Sequence, residues 1–488
     1  MRLSYLVSAL SLIMMYIGLV ILSPIVVALI YGETSSIPPF VWASIISISL
    51  GIIVRKFIPN ALMPANLNDI KKAEALFIVA FTWVILSVLG AIPFLFYDLS
   101  PLNALFESVS GITATGATIL THFDYPHALF FWRSLTQWIG GLGIIVLFIA
   151  VLPQFAVAGR QMFFAEAPGP TEDKFTPRIR NTASSLWKVY VGLTVFEIVL
   201  LIFANMNPFD AICNSFSTIA AGGFSPSPES IQGYESNHIT WIVLIFMFFA
   251  GASFNLQYKV LVQKNISLLF KNEEFRTYFF LVLFMTGIMA ISLYYHNRLD
   301  WFQNFTNALF QVISISTSSG FANVDFEKWN YTPKLLLFIV MFMGSCASSA
   351  GGGIKMARWL IVFKAMKSEI LKILHPNAIV NIKVDGKTVP PEVVRQIIVF
   401  VIFYFAIFGI SAILMAIFEQ NSAVGLTGAI SSLGNIGPGV AVSTGPMGNY
   451  DSLHFMSKII FIINMLVGRL ELIPFLVLLQ KDFWTLKD

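Results

Sequence analysis

Four short stretches hold the residue types and spacing best suited to chemistry. GITATGAT (111–118), STIAAGGFS (217–225), SISTSSGFA (314–322) and SSLGNIGPG (431–439) are each a run of small and hydroxylated residues ending on or beside a glycine. Their marker glycines, Gly116, Gly223, Gly320 and Gly437, recur at near-equal intervals of about a hundred residues, which makes an internal repeat. Successive carbonyls can face one axis only where backbone angles alternate in hand, and glycine reaches positive φ without a Cβ clash. Four such strands would offer rings of neutral oxygens in place of an ion's water. Uncharged oxygens suit a poorly hydrated monovalent cation, whereas a divalent one asks for carboxylates. Ala114, Thr115, Ala221, Gly222, Ser318, Ser319 and Asn435 are small enough for close approach, and the hydroxyls of Thr113, Thr115, Thr317 and Ser318 could add oxygen ligands.

The chain around these loops is that of a polytopic membrane protein. It has 488 residues, 57% of them hydrophobic and 11% charged, with a mean hydropathy of +0.77; soluble domains carry about 25% charged residues. Residues 3–32 contain no charge, enough for a permanent first helix and longer than a signal peptide's apolar region. If the spans alternate from a cytoplasmic N-terminus, most of the 30 Lys and Arg residues fall on one side, among them Arg55, Lys71, Arg178, Lys259, Lys355 and Lys387. That bias predicts both termini in the cytoplasm. The opposite loops carry Asp98, Asp124, Glu229, Glu235, Asp300, Asp325, Glu327 and Asp451. They form either an acidic outer vestibule or loops that merely lack lysine. Two cysteines and six scattered histidines give no disulfide framework or metal site, and no nucleic-acid-binding pattern or organic cofactor is expected.

The predicted fold is all-α, with ten transmembrane spans and four re-entrant half-helices. Two N-terminal spans (1–60) precede four units at 72–155, 180–265, 275–365 and 390–482. Each unit reads as a span, a half-length apolar segment, a glycine loop and a second span. The second span of the first unit is expected to stop at Pro153, and that of the second to run unbroken over 239–262. The half-segments NALFESVSGIT, DAICNSFSTIA, NALFQVISIS and VGLTGAISSLG are too short to cross at about 1.5 Å per residue. They can only dip in and return, aiming their C-terminal dipoles at whatever follows. The longest polar connections are 159–181 and 364–395. Neither is a separate soluble domain, so nucleotide-dependent regulation would need another chain.

Several fragments resemble one family. QWIGGLGIIVLFIAVLP (137–153), GSCASSAGGGIKMARWL (344–360), GNIGPG (434–439) and MLVGRLELIPFLVLL (465–479) are similar, at matching places, to the Trk, Ktr and HKT superfamily of potassium transporters. The two extra N-terminal spans resemble its Trk branch in Gram-negative bacteria. The resemblance implies potassium uptake through a homodimer in the inner membrane, embedded in the lipid bilayer and controlled by a cytosolic nucleotide-binding ring (TrkA-like). It implies a K+ filter at Thr113, Ala114, Thr115, Gly116; Ala220, Ala221, Gly222, Gly223; Thr317, Ser318, Ser319, Gly320; and Gly434, Asn435, Ile436, Gly437. Glycine in the first loop, where sodium-preferring plant relatives have serine, implies potassium. The loops depart from the TVGYG of potassium channels and from each other, which leaves selectivity over sodium open.

Two further features invite a role in gating. Small residues from Gly344 to Gly353, including Ser345, Ser348, Ser349, Gly351 and Gly352, interrupt an apolar helix; they serve either as an unwound gate or for close helix packing. Arg469, with Glu471 after it, lies within the last span. A charge there is costly, so it is either a cationic barrier in the pore or half of a structural ion pair. Lys355 is either a cytoplasmic-end anchor or part of the gate. A redox or proton-pumping subunit would need recurrent mid-span Lys, Glu or His, and only Arg469, Glu471 and Glu197 qualify. A transporter of organic solutes would favour inverted repeats, whereas these copies share one direction. A gated channel and a symporter coupled to protons or sodium both stay open.

Overall fold

The structure is a computed structural model that describes residues 3–56, 72–155, 175–296, 300–378, 380–441 and 444–470. Glu471 and most of the 159–181 connection lie outside the described residues. Helices α1 (Leu3–Val20), α2 (Ser23–Tyr31) and α3 (Ile37–Lys56) come first, with α1 packed on α3. The first unit contains α4 (Lys72–Ala91), α5 (Pro101–Ile112) and α6 (His127–Phe155). The second has α7 (Phe175–Phe203), α8 (Pro208–Ala220), α9 (Asn237–Gly251) and α10 (Phe254–Gln263), and a short α11 (Ser267–Lys271) links it onward. The third comprises α12 (Glu273–His296), α13 (Trp301–Ser316), α14 (Tyr331–Val340) and α15 (Met356–Leu374). The fourth follows with α16 (Pro391–Glu419), α17 (Ser422–Gly434) and α18 (Phe455–Arg469).

The half-helices α5, α8, α13 and α17 lie in the core, packed against the longer helices. Three of them start on side-chain caps: Ser100 accepts from Asn103 N, Asn207 from Phe209 N, and Asn421 from Ala423 N and Val424 N. Their C-terminal halves are buried all round, as at Glu107–Ile112 and Ala429–Gly434. The longer helices turn large apolar side chains outward, among them Ile30, Phe203, Phe284 and Ile413. That surface suits hydrocarbon. Among the described residues six helical segments are long and apolar enough to cross a membrane, and a bent pair makes a seventh if counted as one. This is a helical, multi-pass membrane protein.

Three expectations change. The second span of the second unit is broken: α9 and α10 meet at 101°. Gln257 Nε2 takes up the carbonyls freed at the bend, Phe249 O at 2.7 Å and Ala252 O at 3.2 Å, so the break leaves them partnered. The first unit's second span does not stop at Pro153 but continues to Phe155, since a proline forfeits one backbone bond without ending an apolar helix. The 364–395 connection is not a plain link. It holds the end of α15 and a hairpin, β1 (Lys383–Val384) paired antiparallel with β2 (Lys387–Thr388).

Candidate functional site

Each half-helix ends in the same turn. The residue two before the marker glycine is left-handed, with φ of 50° at Ala114, 56° at Ala221, 57° at Ser318 and 52° at Asn435. The following N–H reaches back to a serine carbonyl: Thr115 to Ser110, Gly222 to Ser217 and Ser319 to Ser314 at 2.8 Å, and Ile436 to Ser431 at 2.9 Å. These Schellman closures satisfy the last helical carbonyls and turn the chain. The glycines then return to positive φ: 84° at Gly116, 78° at Gly223, 72° at Gly320 and 99° at Gly437. The alternation of hand is therefore present, but Ala, Ser and Asn carry half of it.

The four loops close into a ring. A Cβ added to Gly116 would strike the Gly222 carbonyl oxygen, one on Gly223 that of Ser319, one on Gly320 that of Ile436, and one on Gly437 that of Thr115. Each glycine thus faces the carbonyl that precedes the next glycine, and the fourth returns to the first. Side chains lock the ring from behind. Gln137, buried on α6, donates through Nε2 to Gly222 O (2.7 Å) and accepts from Phe224 N (3.1 Å), bracketing Gly223. Asn435 Nδ2 donates to Thr115 Oγ1 (3.0 Å) and to Met465 O (2.9 Å), joining loop four to loop one. Tyr450 and Ser431 hydroxyls both donate to Gly437 O, at 2.6 and 2.7 Å.

The hydroxyls are arranged differently from expectation. Thr113 donates to Val109 O and lies 2.7 Å from Thr115 Oγ1, and Thr317 donates to Ile313 O and lies 2.9 Å from Ser319 Oγ. Ser318 turns away from the ring and accepts from Gly352 N at 2.6 Å. Ala220, Gly222, Gly434 and Ile436 stand at the matching places in the other two loops, so hydroxyls serve alternate quarters only.

Above the ring opens a cavity of about 320 Å³ that all four marker glycines line. Of the eight acidic residues expected at an outer vestibule only Asp124 lines it, and Arg133 lines it as well. Two of the others have local duties: Asp451 accepts from Asn103 Nδ2 and pairs with Lys458, and Asp325 caps Glu327 N.

Beneath the ring the third unit's second helix is unwound between α14 and α15, over residues 341–355. A Cβ on Gly351 would meet Thr317 O and one on Gly352 would meet Gly434 O, so this stretch touches loops three and four from below. It pairs with the α9–α10 bend through Cys346 N to Gly251 O (2.9 Å), Ala350 N to Ala250 O (3.2 Å) and Phe254 N to Ser348 O (3.1 Å). Two unwound backbones thus satisfy each other inside the protein. Gly344 N bonds Ile354 O at 2.9 Å, Gly353 has a positive φ of 71°, and the Ser345 and Ser349 hydroxyls lie 2.7 Å apart. Lys355, buried, donates to Gly351 O and stands 3.5 Å from both of those hydroxyls. It is folded into the stretch, which is not the posture of an anchor at a membrane surface. Arg469, also buried, donates through Nη1 to Ala350 O (3.0 Å) and through Nη2 to Gly140 O (3.4 Å). Glu274, which sequence reading missed, holds the far side: its Oε1 accepts from Ala347 N (2.6 Å) and Ala357 N (3.1 Å).

Comparison with known proteins gives one consistent answer. A family model described as TrkH, cation transport protein, matches residues 45–484. The chain is 36% identical over 479 residues to the Trk system potassium uptake protein TrkH of Salmonella typhimurium, covering 97% of each. It is 34% identical over 427 residues to the Trk system potassium uptake protein TrkG of Escherichia coli, covering 85% of this chain and 86% of that one. The crystal structure of the potassium transporter TrkH from Vibrio parahaemolyticus superposes with a TM-score of 0.89 at 32% identity, over 99% of this chain and 100% of that one.

Proposed function

The chain belongs to the TrkH family of cation transport proteins, and on that premise we propose that it takes potassium into a bacterial cell through the ring of four glycine loops. The closure of that ring carries the reading. Four strands of alternating hand, each glycine against the next strand's carbonyl, form a narrow axial passage lined by neutral oxygens. Such oxygens can replace the water of a monovalent cation. K+ is the transported ion, held at residues 113–116, 220–223, 317–320 and 434–437, and no organic cofactor takes part. In this reading the chain crosses the inner membrane ten times with both termini in the cytoplasm, and α5, α8, α13 and α17 are re-entrant.

The unwound stretch under loops three and four acts as the gate. Lys355 and Arg469 bring two cationic groups to its carbonyls at Gly351 and Ala350, where positive charge opposes a descending cation. Glu274, at the opening of α12, ties both sides of the stretch to a helix start that also carries the Lys364–Glu273 pair and the Asp385 bond to Glu273 N. A homodimer under a TrkA-like nucleotide-binding partner would control it from that side. Expression in a bacterium lacking its own potassium uptake systems tests the transport reading: growth on limiting potassium should be restored. Failure of a stably inserted protein to restore growth, with no rubidium uptake, would overturn it.

A further inference from the structure

Outside the ring and the stretch beneath it, two of the most deeply buried charges stand against the outgoing strand of loop one. Glu107, on α5, and Arg133, on α6, pair Oε1 to Nε at 2.8 Å, with side chains 0% and 2% exposed. Thr118, two residues beyond Gly116, links them: its hydroxyl donates to both Glu107 oxygens (3.1 and 3.2 Å) and accepts from Arg133 Nη2 (3.1 Å). Glu107 Oε2 also accepts from Ile119 N at 2.8 Å. On its other side the guanidinium lies 4.1 Å over the ring of Phe224, the residue after Gly223. One ion pair therefore grips the exits of loops one and two. A buried pair is tolerable only when its remaining groups are bonded, and here those bonds run to filter strands.

The matching place in the other half-helices carries Asn214, Gln311 and Gly428. Gln311 Nε2 donates to Asn323 Oδ1 (3.0 Å), beyond Gly320, and Asn214 Nδ2 donates to Tyr234 OH (2.9 Å). At Gly428 there is no side chain to reach out, and Met415 and Phe461 pack there. Three quarters thus use this position for a polar tie, and the first alone uses a charge. Arg133 also lines the cavity over the ring, where an uncompensated cation would repel the ions arriving.

We propose that Glu107, with Arg133, is a specificity-determining positioning residue of the filter. It fixes loops one and two at the spacing that separates potassium from sodium, and its charge cancels that of Arg133 at the pore mouth. The proposal rests on the filter reading above. The test is the potassium-to-sodium permeability ratio, from reversal potentials of the full-length protein in liposomes, with the KM for potassium read in parallel. Glu107→Asp keeps the charge but shortens the reach, and Thr118→Val keeps the shape but removes the linking hydroxyl. Each should lower the ratio about fivefold, the scale of one lost hydrogen bond, with KM retained. Glu107→Gln should lower the ratio and raise KM, and Glu107→Gln combined with Arg133→Gln should bring KM back. Unchanged ratios in Glu107→Asp and Thr118→Val, in protein that elutes as wild type does, overturn the positioning role; a KM that stays high in the double variant overturns the neutralising role. Gly116→Ser separates the two levels of failure. If it too leaves the ratio unchanged, the filter reading has failed, and if it alone shifts the ratio, only the clamp has.

Discussion

At the scale of single residues, the four marker glycines are doubly constrained. Positive φ disfavours a side chain, and the neighbouring strand's carbonyl occupies the space a Cβ would need. Gly223→Ala should therefore distort two strands at once and abolish selective uptake while leaving membrane insertion intact, checked by rubidium uptake against protein amount. Gln137→Leu leaves Gly222 O and Phe224 N without their partner and should cost about 1–3 kcal/mol, read as earlier thermal aggregation in detergent. The glycines were legible because repetition and residue type coincide at them. The left-handed Ala114, Ala221, Ser318 and Asn435 were not, since a side chain in that conformation leaves no mark in the sequence. Nor were Gln137, Glu107 and Arg133, whose partners are fixed only once the half-helices are packed.

Among the helices, breaks matter more than spans. The middle of the unwound stretch, 344–353, was visible as consecutive small residues, where glycine weakens helix by about 1 kcal/mol each; its ends at 341–343 and 354–355 were not. The 101° bend between α9 and α10 was not visible, because Gly251 and Ser253 follow an unbroken apolar run over 241–250, with no long stretch of consecutive small residues around them. Its partner is the other break, and that pairing is a tertiary fact. Since Arg469 and Lys355 hold the stretch by its carbonyls, Arg469→Ala or deletion of residues 345–351 should raise potassium flux several-fold without changing the permeability ratio. Isotope flux and reversal potential, measured on the same liposomes, check both halves of that statement.

For the molecule as a whole, the four units bring their unequal loops into one closed ring, and the N-terminal helices are fastened to the first of them. Glu33, after α2, accepts from His127 N (3.0 Å), His127 Nδ1 (2.7 Å) and Ala128 N (3.3 Å) at the start of α6. Burial pushes its carboxyl up, but those hydrogen bonds prevail and hold it below the usual carboxylate range. A depressed carboxylate stabilises above its unfolded pKa of about 4.3 and loses that contribution as the pH falls through its folded value. The thermal stability lost on acidification below pH of about 5 should therefore be smaller in Glu33→Gln than in wild type, measured by melting from pH of about 7 to 4. The central claim, one potassium filter built from four loops, is tested most directly by the reversal potential of the purified protein in liposomes under separate potassium, sodium and proton gradients. The account predicts a potential that follows the potassium gradient and is displaced toward sodium by Gly116→Ser. A potential that follows sodium equally, or that Gly116→Ser leaves unmoved, would contradict it.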